Sequence, residues 1–321
     1  MRRRDLLKLA AMSPAAVALP RAMAASPAAI PIVDAHIHLF DTTRPGGVPW
    51  PEKSDTALYK PATPERYMAL AAPFGVVGAI AIEASPLPAD NDWLLQVVSQ
   101  HPVMVGMIGD LVPGSDDFMR QLERLHGDPL FLGIRYGNLW GRDLSVDLAK
   151  PGFVDGLEAL AKAGLVLDSA NPDPKLIRAI LEVSEQVPEL RIVIDHLPHA
   201  PIPQDPDARR EYESDLRKLA QNRNVFVKLS EIPAVVEGKL VTERSFYPAP
   251  LDAIWNLFGE DRILFGSDWP NSDHIAPLAQ TMAIVRGYLS TKSQAAQEKY
   301  YWKNSIAAYR WRRRRPDQPQ L

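Results

Sequence analysis

The chain has 321 residues, 46% hydrophobic and 23% charged, with a formal net charge of −3. This composition excludes a disordered, collagen-like or coiled-coil chain, no clustered basic excess marks a nucleic-acid partner, and no apolar run reaches the roughly 18–20 residues of a membrane helix. There is no cysteine, so disulfides and thiolate metal sites are ruled out and any metal must be held by His, Asp or Glu. Thirty prolines point to long, stiffened loops.

Residues 1–24 read as an export signal. Arg2, Arg3 and Arg4 precede Asp5, Leu6, Leu7 and Lys8; a moderately apolar stretch follows to Leu19; Ala22-Met23-Ala24 supplies a small-residue cleavage site. The order resembles a twin-arginine signal, with a basic amphipathic arm as the alternative. On the signal reading the mature protein is periplasmic or exported, and it is carried folded, so a metal can be loaded first.

Beyond that segment, short β-branched or apolar runs at 31–37, 76–83, 103–109, 131–135, 164–168, 191–195, 225–229 and 263–267 predict eight strands. Helical periodicity lies between them. Leu157, Leu160 and Ala161 mark one helix, and Leu176, Ile180, Val183, Ser184 and Val187 another, beginning near Pro172 and Pro174 with Asn171 as its cap. Eight strand–helix units in about 280 residues predict an α/β fold, a single-domain (β/α)8 TIM barrel over residues 25–309. No Gly-rich phosphate loop follows a strand, which weighs against a doubly wound sheet.

Two Pro-rich connections, 41–65 and 230–250, follow strands one and seven and overhang the active face of such a barrel. Trp50, Tyr59 and Phe246 lie in them and are expected to seek burial. Residues 310–321 form a basic C-terminal tail, five Arg around Trp311, expected to be solvated or to meet an anionic surface.

Strand one ends in Asp34-Ala35-His36-Ile37-His38. A strand has period two, so His36 and His38 share a side, and at a barrel mouth that side is the interior. With backbones about 6–7 Å apart, the two imidazoles can converge on one cation. His196 closes strand six and Asp268 closes strand eight, each shortly before a proline. All four thus stand at C-terminal strand ends, where barrel enzymes place their chemistry. His101, His126 and His274 do not, and read as surface or loop residues. The absence of G-x-S-x-G weighs against a serine nucleophile.

From residue 30 to 308 the sequence resembles the amidohydrolase superfamily, and within it the amidohydrolase 2 branch of sugar lactonases, pyrone dicarboxylate lactonases and semialdehyde decarboxylase-like enzymes. VDAHIHLFD, IVIDH and ILFGSDWP carry the resemblance in order; LGIRY and FVKLS favour the lactonase side. The resemblance implies His36, His38, His196 and Asp268 as metal ligands, with Asp268 and His196 catalytic and Asp268 the general base and proton shuttle. Two departures argue against a two-metal centre. Arg135 ends the strand where binuclear members carry a carboxylated Lys, and Leu167-Asp168-Ser169 stands where many have a His. One divalent cation is expected, zinc first, with metal-free catalysis left open.

Four residues are candidate substrate contacts. Arg135 suits a carboxylate or lactone oxygen, a salt bridge being the other reading. Glu83 could be a further ligand or accept from a sugar hydroxyl. Lys228 could bind an anionic substrate or pair with an interior acid. Trp269 could wall the pocket or simply pack. The activity expected is hydrolysis of a lactone, a small-molecule substrate, by activated water. A non-oxidative decarboxylase on the same site and a periplasmic ligand-binding barrel are the alternatives.

Overall fold

The computed structural model describes residues 30–321; the expected export signal over residues 1–24 lies outside the described residues. Seven parallel strands follow one another in chain order: β1 (Ile32–His38), β2 (Val76–Ile82), β3 (Met104–Gly109), β4 (Phe131–Arg135), β5 (Val166–Asp168), β6 (Arg191–Ile194) and β7 (Val225–Ser230). A small antiparallel hairpin, β8 (Val235–Val236) with β9 (Lys239–Leu240), stands in the connection after β7. β10 (Ile263–Gly266) then pairs with β7 and completes the eight.

The ring closes just past the last ladder residues. The amide of Asp268 donates to the carbonyl of His36 at 2.8 Å, and the amide of His38 to the carbonyl of Trp269 at 2.7 Å. This is the expected (β/α)8 barrel. Strands covered by helices outside and side chains inside are buried on both faces, which is why they read as unbroken apolar runs rather than alternating ones.

The helices follow their patterns. The helix Pro174–Gln186 buries Leu176, Ile177, Ile180 and Val183 along one stripe. Its cap is Asp173, whose carboxylate accepts from the Leu176 amide at 2.7 Å. Asn171, expected as the cap, instead takes a left-handed backbone (φ 52) above the strands. No helix among the described residues is long and apolar enough to cross a membrane.

Close approach at the seam depends on Gly266. A Cβ there would meet the Cβ of His36 at 2.8 Å and that of Ser230 at 3.3 Å. Any side chain would push β10 away from the strand that carries the histidines.

The C-terminal stretch is only in part the solvated tail expected of it: Arg310, Arg312 and Arg313 are exposed, while other residues dock on the barrel. Trp311 is buried and donates from Nε1 to Ser305 at 3.0 Å. Nη1 of Arg314 donates to the carbonyls of Val98 and Met104, both at 2.7 Å, and Gln318 donates to those of Val77 and Pro102. These carbonyls lie at the starts of β2 and β3 and in the last turn of the helix Ala89–Gln100 that leads into β3, so the tail straps the floor of the barrel. In the connection after β7, Phe246 is 41% exposed, against the expectation that it would be buried.

Candidate active site

The site is built at the end opposite that floor. His36 and His38 share the inward side of β1, as period two requires. His196 follows β6 and Asp268 follows β10. The Nε2 atoms of His36 and His38 lie 3.2 Å apart. Oδ1 of Asp268 stands 3.3 Å from Nε2 of His36, 3.1 Å from that of His38 and 3.7 Å from that of His196. The four residues expected to act together do meet at one point.

Each ring is held from behind. Nδ1 of His38 lies 3.1 Å from the carbonyls of both Ile82 and Glu83. Nδ1 of His196 lies 2.7 Å from Oγ of Ser230. Nδ1 of His36 lies 3.1 Å from Nζ of Lys228. Asp268 is fixed through Oδ2, which accepts from Asn271 at 2.7 Å.

Burial sets the charges. It pushes all three imidazoles below their ordinary range, His38 to about 4 with the positive charge of Arg135 adding to the effect. His36 and His196 also fall well below it, helped by Lys228 and His36 respectively. The rings are therefore neutral near pH 7, each with one nitrogen lone pair. Burial pushes Asp268 up to about 6, against the opposing bond from Asn271 and the charge of Arg135. At neutral pH it is a carboxylate of raised basicity, suited to accept a proton.

Such a donor set fits one divalent cation. Around a tetrahedral ion with ligands at about 2.0–2.1 Å, neighbouring ligand atoms lie roughly 3.3 Å apart. The separations among His36, His38 and Asp268 run from 3.1 to 3.3 Å. His196 and Glu231 stand close enough to contribute.

A cavity of about 250 Å³ opens above these groups. Glu83 and Arg135 line it, as expected of substrate contacts. Oε2 of Glu83 accepts from the Ser85 amide and the Trp140 indole, both at 3.0 Å, while Oε1 is buried without a hydrogen-bond partner. Arg135 is anchored through Nε on Asp195 at 3.1 Å, the salt bridge that was one of the two readings weighed for it, and it also lines the cavity.

Two expected contacts are corrected. Trp269 is fully buried, packed on Tyr67 with ring centroids 5.3 Å apart and covered by the Arg66 guanidinium; it is core and lines no part of the cavity. Lys228 is also fully buried and lies beneath the histidines, where it pairs with Asp168 at 2.7 Å and Asp195 at 2.9 Å. Its role is interior pairing, not contact with a substrate.

Sequence reasoning missed Glu231, Trp50, Trp140, Asn171 and Asn271 as lining residues; Ala84 and Leu139 complete the wall. Glu231 is the most consequential. It follows β7 as His196 follows β6, and burial, with the charge of Asp268, pushes it up to about 8. Position at a strand end was the available signal. Trp140, Asn171, His196, Glu231 and Asp268 all have positive φ, five of the seven such non-glycine residues among the described residues. A left-handed backbone costs roughly 1–2 kcal/mol per non-glycine residue. Its concentration around one cavity marks the place where aiming side chains outweighs backbone comfort.

An α/β barrel that gathers three neutral imidazoles and a basic carboxylate at the C-terminal mouth, under a cavity for a small molecule, is an enzyme built to activate water. The chain belongs to the amidohydrolase family, whose model matches residues 33–311. It is 30% identical over 253 residues to an L-fucono-1,5-lactonase of Burkholderia ambifaria, covering 75% of this chain and 80% of that one. An amidohydrolase from Burkholderia multivorans, solved with bound HEPES, superposes with a TM-score of 0.77 at 19% identity, over 88% of this chain and all of that one. The same protein solved with bound zinc gives 0.75 at 18%, with the same coverage. A 5-carboxyvanillate decarboxylase from Sphingomonas paucimobilis gives 0.61 at 15%, again over 88% and 100%.

Proposed function

We propose that the chain hydrolyses the cyclic ester of a sugar acid. The observation that carries this reading is Oδ1 of Asp268, a carboxylate of raised basicity set among three neutral imidazoles at the base of a cavity. The lining supports a polyhydroxylated ring. Trp50 and Trp140 offer indole surface to its carbon–hydrogen faces. Oε1 of Glu83, which makes no hydrogen bond and has Nη1 of Arg135 at 3.7 Å as its charge partner, offers an acceptor for a hydroxyl, and a buried acceptor without a hydrogen bond at a cavity calls for one. The lactonase relative from Burkholderia ambifaria acts, by its name, on such a compound.

The chain's own residues supply the proton path. Asp268 takes a proton from water as the water oxygen bonds to the ester carbonyl carbon. Arg135 donates to the oxygen on which negative charge develops. The bond from that carbon to the ring oxygen then breaks, and Asp268 returns its proton to the departing oxygen. The product is an open-chain hydroxy acid, which releases one proton at neutral pH. A divalent cation held by His36, His38 and Asp268 would supply Lewis-acid charge and acidify water. Zinc is the ion proposed, by the two-imidazole, one-carboxylate set and the zinc-bound structural neighbour.

Acid release from L-fucono-1,5-lactone and other aldonolactones, followed at constant pH, tests the reading. Release that Asp268→Asn abolishes supports it. No release from any aldonolactone, with and without added zinc, overturns it. Carbon dioxide release from an aromatic carboxylate would instead mean a decarboxylase. Export through residues 1–24 is part of the proposal, on sequence order alone. Retention of an Arg3→Lys, Arg4→Lys variant in the cytoplasm, with the parent in the periplasm, would support it; equal distribution would count against it.

A further inference from the structure

The three imidazoles of the site are oriented by unlike partners. Nδ1 of His38 faces two main-chain carbonyls, at 3.1 Å each. Carbonyls only accept, so the proton of His38 sits on Nδ1 and its Nε2 keeps the lone pair that points into the site. Nδ1 of His196 faces the Ser230 hydroxyl, which can accept in the same way. Both arrangements suit a histidine that ligates through Nε2, because such a ring ordinarily donates its other N–H to an acceptor.

His36 is different. Its Nδ1 faces Nζ of Lys228 at 3.1 Å. That nitrogen is wholly buried, donates to Oδ2 of Asp168 at 2.7 Å and forms an ion pair with Oδ1 of Asp195 at 2.9 Å. Between two carboxylates it is an ammonium, and an ammonium has donors and no acceptor. Nδ1 of His36 must then accept, and the ring proton must sit on Nε2.

We propose that Lys228 is a positioning residue which locks His36 in the Nε2–H tautomer, making His36 a hydrogen-bond donor to Nε2 of His38 and setting the cation affinity of the site low. Nε2 of His36 lies 3.2 Å from Nε2 of His38 in a hydrogen bond, so the locked proton is directed at the lone pair that the Nδ1–H form of His38 presents, with Oδ1 of Asp268 a further 3.3 Å neighbour. Ligation through the same Nε2 needs its lone pair, and therefore a proton on Nδ1, where the ammonium stands. The acceptor that would take over is already present: Oδ1 of Asp195 is 3.6 Å from Nδ1 of His36. Cation loading and the Lys228–His36 contact thus exclude each other. The donor set has the spacing of a cation site, and Lys228 is what the ion must displace.

Two measurements test this without any substrate, so their failure is separate from failure of the lactonase reading. The first is the long-range proton–nitrogen correlation spectrum of histidine-labelled, metal-free wild-type protein, with His36 assigned by its loss in His36→Gln. The Nε2–H pattern for His36, beside Nδ1–H for His38, is expected; an Nδ1–H pattern for His36 overturns the proposal. The second is zinc affinity by competition with a chelating dye. Lys228→Met removes the donor and frees Asp195, and zinc should bind about 10–100-fold more tightly, the range in which such outer partners act. Equal or weaker binding by a folded Lys228→Met protein overturns the proposal. Should that variant not fold, the wild-type spectrum still decides.

Discussion

The amide of Asp268 donates to the carbonyl of His36 at 2.8 Å, and this bond both closes the barrel and makes the site. It ties the residue after the last strand to the first strand. The Asp268 carboxylate is thereby delivered to the Nε2 atoms of His36 and of His38, the latter 230 residues away in the chain. Fold closure and catalytic geometry are one constraint.

Asp268→Asn should therefore separate stability from activity. Loss of the proton acceptor should lower kcat by about 10²–10⁴-fold, the usual contribution of a general base. Thermal stability should rise, because the folded protein raises this carboxyl from 3.8 to about 6. Across that window the folded state holds a proton that the unfolded state releases, so the group's contribution to stability falls as pH rises from about 4 to about 6 and stays low above it. Calorimetry at pH 7.5 checks the sign; a lower midpoint for the variant would count against it.

The pH profile of the metal-free enzyme should be bell-shaped. Activity should rise through about pH 6 as Asp268 loses its proton. It should fall through about pH 8 as Glu231 loses its own and sets a second carboxylate beside Asp268, opposing the negative charge that develops in the site. Glu231→Gln should remove the alkaline limb and keep the acid one. Saturating zinc should move the acid limb downward, since a cation beside a carboxylate favours its charged form. Profiles of kcat/KM for the wild type and this variant, with and without zinc, test both limbs.

Gly266→Ala should damage the seam. Its new methyl would lie 2.8 Å from the Cβ of His36. Overpacking of this kind costs about 1–3 kcal/mol, and the strand that must yield carries two site histidines. A lower urea midpoint together with at least a tenfold fall in kcat/KM is expected. Unchanged activity would show that β10 adjusts without moving His36.

Removing residues 310–321 should destabilise the barrel without touching the cavity. Carbonyls of Val98, Met104, Val77 and Pro102 would lose the donors supplied by Arg314 and Gln318. Each hydrogen bond lost costs about 0.5–1.5 kcal/mol net, since water reaches the uncovered carbonyls. Arg314→Ala alone should lower the urea midpoint, with KM unchanged for the folded fraction.

Much of this protein is written in local pattern. Eight apolar runs spaced by helical periodicity specify the barrel, because a strand buried on both faces needs unbroken hydrophobicity. Period two along Asp34–His38 puts two histidines on one side whatever surrounds them. His196 and Asp268 were legible because strand ends define the mouth. Glu231 had the same placement and was missed, since no residue-type pattern sets it apart from other loop acids.

Contacts between distant segments decided the rest. Trp269 adjoins Asp268 in the chain, yet it turns into the core against Tyr67 while Asp268 turns into the site. Lys228 meets Asp168, Asp195 and His36 from three other strands, and no spacing in the chain announces that meeting. The basic tail reads as solvated because its charge is local and visible, whereas the free carbonyls that bind Arg314 exist only where helix and strand ends assemble. Periodicity is a property of neighbours along the chain and survives in the one-dimensional text. Pairing of buried charges and carbonyls is a property of neighbours in space, and it appears only when the ring is closed.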